Sequence, residues 1–263
     1  MPYLDVNDTT LHYEDEGTGP ALLLLHGWGT SGQVWGAQLP EFTGDHRVVT
    51  VDWRGCGRSA RPVSGNTVAG VVGDMMALIG ALRLDRPVVV GSSIGATFAT
   101  ELGLQHPESV GGVVAVDGSA YWPSQGMPLA ELMDGLRRDR AGTVAEWVPE
   151  WYAPGTAPAL IDWTVRQILD SGVHIDQHFA TAGDYDPRPA LPGLQVPIHY
   201  LHGELSIPIP LEVPQTCAAL TPGAEVGVIA GAGHMPHQER PAEFNAALRA
   251  ALTRMASAAH ATA

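Results

Sequence analysis

A serine and a histidine, the two residue types of a hydrolytic nucleophile and its base, each stand in a glycine-rich setting. Ser93 sits in Gly91-Ser92-Ser93-Ile94-Gly95, directly after the β-branched run Val88-Val89-Val90 and before small and apolar residues at helical spacing. That order reads as strand, sharp turn, helix, the context in which a Gly-x-Ser-x-Gly pentapeptide lifts a hydroxyl above a sheet. Gly91 and Gly95 leave room for the turn and for close packing of helix on strand. A serine hydroxyl is a poor nucleophile at its free pKa and needs an adjacent base. His234, flanked by Gly231 and Gly233, lies on a loop able to present an imidazole to the Ser93 Oγ. The pentapeptide alone is weak, because a plain βα turn is written in the same letters. The elements around it must carry the reading.

Those elements begin with size and charge. A chain of 263 residues with 45% hydrophobic content can bury one substantial core, and one domain of this length is ordinary for α/β folds. The formal charge is −14, and all 14 basic residues are arginines. With no basic run or stripe, the acidic surface argues against nucleic acid and anionic membranes as partners. The absence of lysine excludes Schiff-base chemistry and a P-loop. Cys56 and Cys217 are too few for a disulfide framework, which points to a reducing compartment. The start, Met1-Pro2-Tyr3-Leu4-Asp5, lacks a basic segment followed by an apolar one, so no signal peptide is expected. No apolar run approaches the ~20 residues of a membrane span. The expectation is a soluble cytoplasmic protein acting on a small molecule, with no fixed oligomeric state legible.

Along the chain, residues 3–15 alternate apolar and polar and precede Gly17-Thr18-Gly19-Pro20, which predicts an antiparallel hairpin at a sheet edge. Ala21 to Leu25 is a continuous apolar run, as for a strand buried on both faces, and it ends in His26-Gly27-Trp28-Gly29. A short helix is expected around Val34 to Leu39, then a buried strand over Arg47 to Asp52. Thr67 to Leu84 carries Val68, Val71, Val72, Met75, Met76, Ile79 and Leu82 on one helical face. The Ser93 strand and its helix to His106 follow, then a strand over Val110 to Val116 ending at Asp117-Gly118. From about 120 to 190 the pattern breaks into short helical pieces punctuated by Pro, Gly and Trp122, Trp147, Trp151 and Trp163. Such an insertion reads as a cap over a pocket. Alternation resumes with strands over Ile198 to Leu201 and Glu225 to Ile229, a helix from about Pro210 to Leu220, and a helix over Pro241 to Met255. The final alanine-rich tail is expected to fray. The division is then a core over 1–119 and 191–263 with a helical cap over 120–190. Strands alternating with helices imply a mostly parallel sheet covered on both faces, with chemistry at the carboxyl ends of its strands.

Four loops fall at those ends: 26–29, 91–95, 117–120 and 231–237. With them on view, the chain resembles the α/β-hydrolase superfamily over nearly its whole length. His26-Gly27-Trp28-Gly29 looks like the oxyanion loop of that superfamily, and Asp52-Trp53-Arg54-Gly55-x-Gly57-Arg58-Ser59 like its fourth-strand signature. Gly91-x-Ser93-x-Gly95 matches its nucleophile turn, and Gly233-His234-x5-Arg240-Pro241 its histidine loop. The resemblance implies an α/β-hydrolase fold with an eight-stranded, mostly parallel sheet, helices on both faces and a helical cap. It implies Ser93 as nucleophile, His234 as base, and an oxyanion hole from the backbone N–H groups of Trp28 and Ile94. His26 and Asp52 have structural counterparts in the superfamily. Cys56 has nothing to activate it. His199 and His202 do not share a strand face cleanly, so no metal is expected, and no cofactor.

The acid of the triad departs from the superfamily pattern. Most relatives place it after the seventh strand in Gly-x-x-Asp-x-x-Pro, whereas this chain has Gly203-Glu204-Leu205-Ser206-Ile207-Pro208. A neutral serine cannot stabilise an imidazolium as a carboxylate does. Asp117 ends the sixth strand, where some superfamily members carry the acid; Glu204 lies on the usual loop, two residues early; a dyad without an acid is the third option. Asp117 is the choice, keeping the chain order serine, acid, histidine.

The leading reading is a serine hydrolase cleaving an ester or lactone through an acyl-enzyme on Ser93. Trp122, Met127, Met133, Trp147, Trp151 and Trp163 suggest a bulky apolar or aromatic substrate, although the same residues would also bury the core of the cap. A second reading, similar to cofactor-free dioxygenases of N-heteroaromatic rings on this fold, uses the His234–Asp117 pair as base; those enzymes carry a histidine after the serine, where this chain has Ile94. A third is a non-catalytic ligand-binding relative, with Ser206 as the scar of a lost acid.

Overall fold

The computed structural model describes residues 3–118, 121 and 129–261. Its centre is the run Leu22 to Leu25, in which every side chain is buried because helices cover both faces of the sheet. Eight strands, β1 (Tyr3–Val6), β2 (Thr9–Glu16), β3 (Ala21–Leu25), β4 (Arg47–Asp52), β5 (Val88–Ser92), β6 (Gly112–Val116), β7 (Ile198–Gly203) and β8 (Glu225–Ile229), lie in the order β1-β2-β4-β3-β5-β6-β7-β8. The first two form the edge hairpin, and β2 meets β4 antiparallel. All later pairings are parallel, so β3, β5, β6, β7 and β8 deliver their carboxyl ends to one rim.

Among the described residues, ten helices lie between and after the strands: α1 (Leu39–Phe42), α2 (Val68–Leu82), α3 (Ile94–Gln105), α4 (Leu129–Arg138), α5 (Arg140–Trp147), α6 (Pro158–Asp170), α7 (Gln177–Gly183), α8 (Glu212–Leu220), α9 (Pro236–Glu239) and α10 (Pro241–Ala261). The helix α2 starts where Thr67 accepts a hydrogen bond from the Gly70 N–H, and it buries Val68, Val71, Val72, Met75 and Ile79. Two local expectations need correction. The single helix expected around Val34 to Leu39 is a tight turn over Gly32–Trp35 followed by α1, whose start is set by Pro40 in its first turn. The alanine-rich tail is helical through Ala261 rather than frayed from Met255, in keeping with the high helix propensity of alanine. Among the described residues, no helix is long and apolar enough to cross a membrane.

Between β6 and β7 the chain builds α4 to α7 and lays them on the rim. Trp28, just beyond β3, packs against Trp147 of α5 (ring centroids 5.9 Å) and Phe179 of α7 (5.0 Å). Ser31 donates to Gln167 of α6 at 2.6 Å. Near the end of β8, the His234 N–H donates to the Trp151 carbonyl at 2.6 Å. The insert is therefore tied to the loops after both strands.

Candidate active site

Ser93 stands between β5 and α3 with φ 55° and ψ −123°, a left-handed backbone that a non-glycine residue adopts only under constraint. The constraint is local packing. A Cβ on Gly91 would fall on the backbone of Gly95, and one on Gly95 would lie 2.6 Å from the Leu25 carbonyl oxygen and 2.7 Å from that of His26. Only glycine lets helix, turn and neighbouring strand approach this closely. The Ser93 N–H is held by the Val116 carbonyl at 2.9 Å, which fixes the turn to the adjacent strand.

From this perch the Ser93 Oγ lies 3.0 Å from His234 Nε2. On the other side of the ring, His234 Nδ1 lies 3.0 Å from Asp117 Oδ1. With Nδ1 donating to the carboxylate, Nε2 is left as the acceptor for the serine proton. Asp117 is 1% exposed and also has positive φ, 46°. Its N–H donates to the Leu201 carbonyl at 2.8 Å, and its Oδ2 accepts from the Gly203 N–H at 2.6 Å. One carboxylate oxygen is thus fixed by backbone while the other faces the histidine.

Glu204 is not near that nitrogen by any described bond. Its side chain is exposed and accepts from the Gly231 N–H at 2.9 Å, bracing the base of the histidine loop. Ser206, in contrast, brings its Oγ to 3.4 Å from His234 Nδ1. His202, whose Nδ1 is 3.6 Å from Asp117 Oδ1, is the carboxylate's other neighbour, and burial lowers its pKa. Ser206 thus neighbours the ring and His202 the carboxylate, two contacts that the sequence did not mark. They arise from the parallel register Val116↔Leu201, which sets the residues following each strand side by side and has no local mark in the sequence.

The loop carrying Trp28 runs against Ser93: a Cβ on Gly27 would lie 3.2 Å from the Ser93 Cβ. His26 shapes this loop. Its Nδ1 is 2.8 Å from the Gly27 carbonyl, its Nε2 is 3.3 Å from the Trp53 N–H, and its ring stacks on Trp53. Burial brings its pKa down to about 4, so the ring is neutral. Asp52 likewise accepts from the Gly32 N–H at 2.7 Å and the Arg58 N–H at 2.9 Å. Burial holds the Cys56 thiol well above its ordinary pKa, so it carries no thiolate.

Of the tryptophans singled out in the insert, Trp151 meets the His234 ring edge-on at 5.7 Å and Trp147 meets Trp151 at 5.0 Å. Trp163 is half-buried against the hydrophobic core, with no described ring contact to His234. Trp122 and Met127 lie outside the described residues. Phe179, which the sequence did not mark, joins the same aromatic group through Trp28 and Trp147.

A family model described as the alpha/beta hydrolase family matches residues 22–247. The chain belongs to the alpha/beta hydrolase family. This alpha/beta hydrolase is 29% identical over 239 residues to a pimeloyl-[acyl-carrier protein] methyl ester esterase of Edwardsiella ictaluri, covering 86% of this chain and 91% of the relative. Among solved structures it superposes on Est816, described as an N-acyl homoserine lactone degrading enzyme, with a TM-score of 0.87 at 28% identity, over 95% of this chain and 99% of that one. The enol-lactonase from Burkholderia xenovorans LB400 shares the fold, with a TM-score of 0.88 at 23% identity over 96% and 100% of the two chains. Family membership together with the esterase-named relatives makes this alpha/beta hydrolase an enzyme of the esterase class.

Proposed function

We propose that this alpha/beta hydrolase cleaves a carboxylic ester or lactone of a bulky apolar or aromatic small molecule through an acyl-enzyme on Ser93. The observation that carries the reading is the continuous relay Ser93 Oγ, His234, Asp117, with both hydrogen-bond distances at 3.0 Å. The Ser93 Oγ attacks the carbonyl carbon while its proton passes to His234 Nε2. Asp117 stabilises the imidazolium that forms and keeps Nδ1 protonated. The oxyanion is received by the backbone N–H groups of Trp28 and Ile94, the second being the first residue of α3, where the helix dipole also favours negative charge. Collapse expels the alcohol, which takes the proton from His234. Water, deprotonated by the same histidine, then attacks the acyl carbon and releases the acid.

The substrate class rests on the aromatic group formed by Trp28, Trp147, Trp151 and Phe179, which runs from the proposed oxyanion loop to the histidine. Aromatic side chains beside the reacting groups favour apolar or aromatic substrates over charged ones. In this reading residues 120–190 act as the cap, with the core over 1–119 and 191–263. The two free, buried cysteines support residence in the cytoplasm.

The test is a panel of p-nitrophenyl esters and lactones on the wild type and Ser93→Ala, alongside labelling with a fluorophosphonate. The wild type is expected to release acid without oxygen uptake and to be labelled on Ser93, and Ser93→Ala to lose both. Oxygen uptake with carbon monoxide release would point instead to ring dioxygenation, and an unlabelled, inactive wild type to a binding protein.

A further inference from the structure

Resting on the Ser93–His234 reading, we infer that Glu239 is a positioning residue that fixes the backbone on both sides of His234 and couples it to the insert. Glu239 ends α9, and its carboxylate gathers donors from two separate parts of the chain. Oε1 accepts from the Gly233 N–H at 3.0 Å and from the Met235 N–H at 3.1 Å, the residues on either side of His234. Oε2 accepts from the Ala153 N–H at 2.7 Å and from the Thr156 Oγ at 3.1 Å, both in the stretch between the Val148–Trp151 turn and α6. The N–H of His234 itself donates to the Trp151 carbonyl at 2.6 Å.

The chemistry of this node is that of an anion closing a set of orphan donors. Three backbone N–H groups and a hydroxyl converge on one carboxylate, and no neutral acceptor of that size offers enough lone pairs to satisfy all four. The approach is close enough that a Cβ on Gly233 would lie 2.5 Å from the Trp151 oxygen and 2.7 Å from the Ala153 nitrogen. Glycine at 233 and an acid at 239 are thus two parts of one device. It sets the Cα–Cβ direction of His234, and so the line from Nε2 to Ser93, by holding the peptide planes before and after it. Because Oε2 is bound by donors of the insert, the aim of the imidazole depends on the seating of the insert. Among the described residues, the bonds of Glu239 go to Gly233, Met235, Ala153 and Thr156 rather than to Ser93 or the imidazole, so it acts through position.

The geometry assigns Glu239→Gln a specific deficit. A carboxamide keeps one accepting oxygen and turns an N–H₂ toward donors that need an acceptor. A displacement of His234 by a fraction of an ångström to 1 Å should lower kcat about tenfold to a hundredfold. The KM should stay within about threefold, since no substrate contact is lost. Fluorophosphonate labelling of Ser93 should slow in parallel. Glu239 borders a cavity of about 300 Å³ that Gly155 and Gly231 also line, so water can reach the node when the acid is replaced. Thr156→Val removes one insert-side donor and should lower kcat by a few-fold, also at constant KM. Should Glu239→Gln not fold, Glu239→Asp, one methylene short of both donor pairs, is read in the same assays.

A folded Glu239→Gln with wild-type kcat and labelling rate, whatever its Tm, overturns the inference. So does a rise in KM at unchanged kcat, which would make Glu239 a substrate-site residue. Ser93→Ala assayed alongside separates the two levels. If it retains activity, the nucleophile reading fails; if it is inactive while Glu239→Gln is normal, only the positioning role fails.

Discussion

Asp117 and Ser206 face the same nitrogen of His234, the carboxylate oxygen at 3.0 Å and the hydroxyl at 3.4 Å. One Nδ1–H cannot serve both equally, and the charged acceptor at the shorter distance takes it. The loop after β7 still delivers its side chain to the ring, but that side chain is neutral. In the proposed triad the acid comes instead from the end of β6, one strand over. Asp117 can serve because the Gly203 N–H fixes its other oxygen at 2.6 Å, which aims the carboxylate at the ring.

This geometry yields a rescue experiment. Asp117→Asn should leave the shape of the site intact and lower kcat on a p-nitrophenyl ester by on the order of 10³–10⁴, because an amide neither stabilises the imidazolium nor enforces the tautomer. Aspartate at 206 extends one bond further than serine and brings an anion toward Nδ1. In the Asp117→Asn background, Ser206→Asp should therefore restore kcat by about tenfold or more. A double variant no better than the single one would mean that the 206 loop cannot present an acid.

Glu204→Gln supplies the contrast. Its Oε2 accepts from the Gly231 N–H at 2.9 Å in an exposed setting, and a carboxamide oxygen can take over that bond. The expected kcat is within about twofold of wild type, with a loss of stability of no more than about 1 kcal/mol. If Glu204→Gln loses activity while Asp117→Asn keeps it, the acid has been misassigned.

Much of this architecture is legible in the sequence because its signals are local. Continuous apolar runs mark the central strands, and glycines flank both Ser93 and His234. The edge hairpin follows from alternation over residues 3–15. What could not be read depends on register and on contacts across long stretches of chain. Whether residue 117 or 204 meets the histidine is decided by the pairing of Val116 with Leu201, a parallel alignment that no residue type announces. Glu239 reads as one more acid in a polar run before a proline; its meaning appears only when Ala153 and Thr156 arrive from the insert. Trp163 and Trp151 were indistinguishable as letters, yet Trp151 meets His234 and Trp163 packs against the core.

The turn that lifts Ser93 should tolerate no added carbon. In Gly91→Ala the new Cβ would overlap the carbonyl carbon and oxygen of Gly95 and the nitrogen of Ala96, all backbone atoms that cannot step aside. A loss of about 3 kcal/mol or more is expected, seen in urea unfolding or as failure to accumulate soluble protein. The matched control is Gly80→Ala on the exposed face of α2, where a Cβ meets nothing within 4 Å. That change should stabilise the protein by about 0.5–1 kcal/mol through helix propensity alone. Equal stability of the two variants would remove the steric account of the turn.

Three buried histidines make stability depend on pH. His237 packs against the rings of Trp35 and Phe244 and His178 against those of Trp53 and Phe98, and burial lowers the pKa of each to about 3. Burial likewise brings His26 down to about 4. An unfolded histidine titrates near 6.5, so between that value and the folded pKa the unfolded chain binds the extra proton. The stability these residues permit is therefore fully present above about pH 6.5 and is lost as pH falls toward 4. Each contributes a slope of up to about 1.4 kcal/mol per pH unit in that window. His237→Phe keeps an aromatic ring against Trp35 and Phe244 and removes one titration. Urea unfolding at pH 7 and pH 5 should then show a smaller difference than in the wild type, by about 2 kcal/mol. An unchanged difference would mean that His237 is already protonated, or already exposed, in the folded protein.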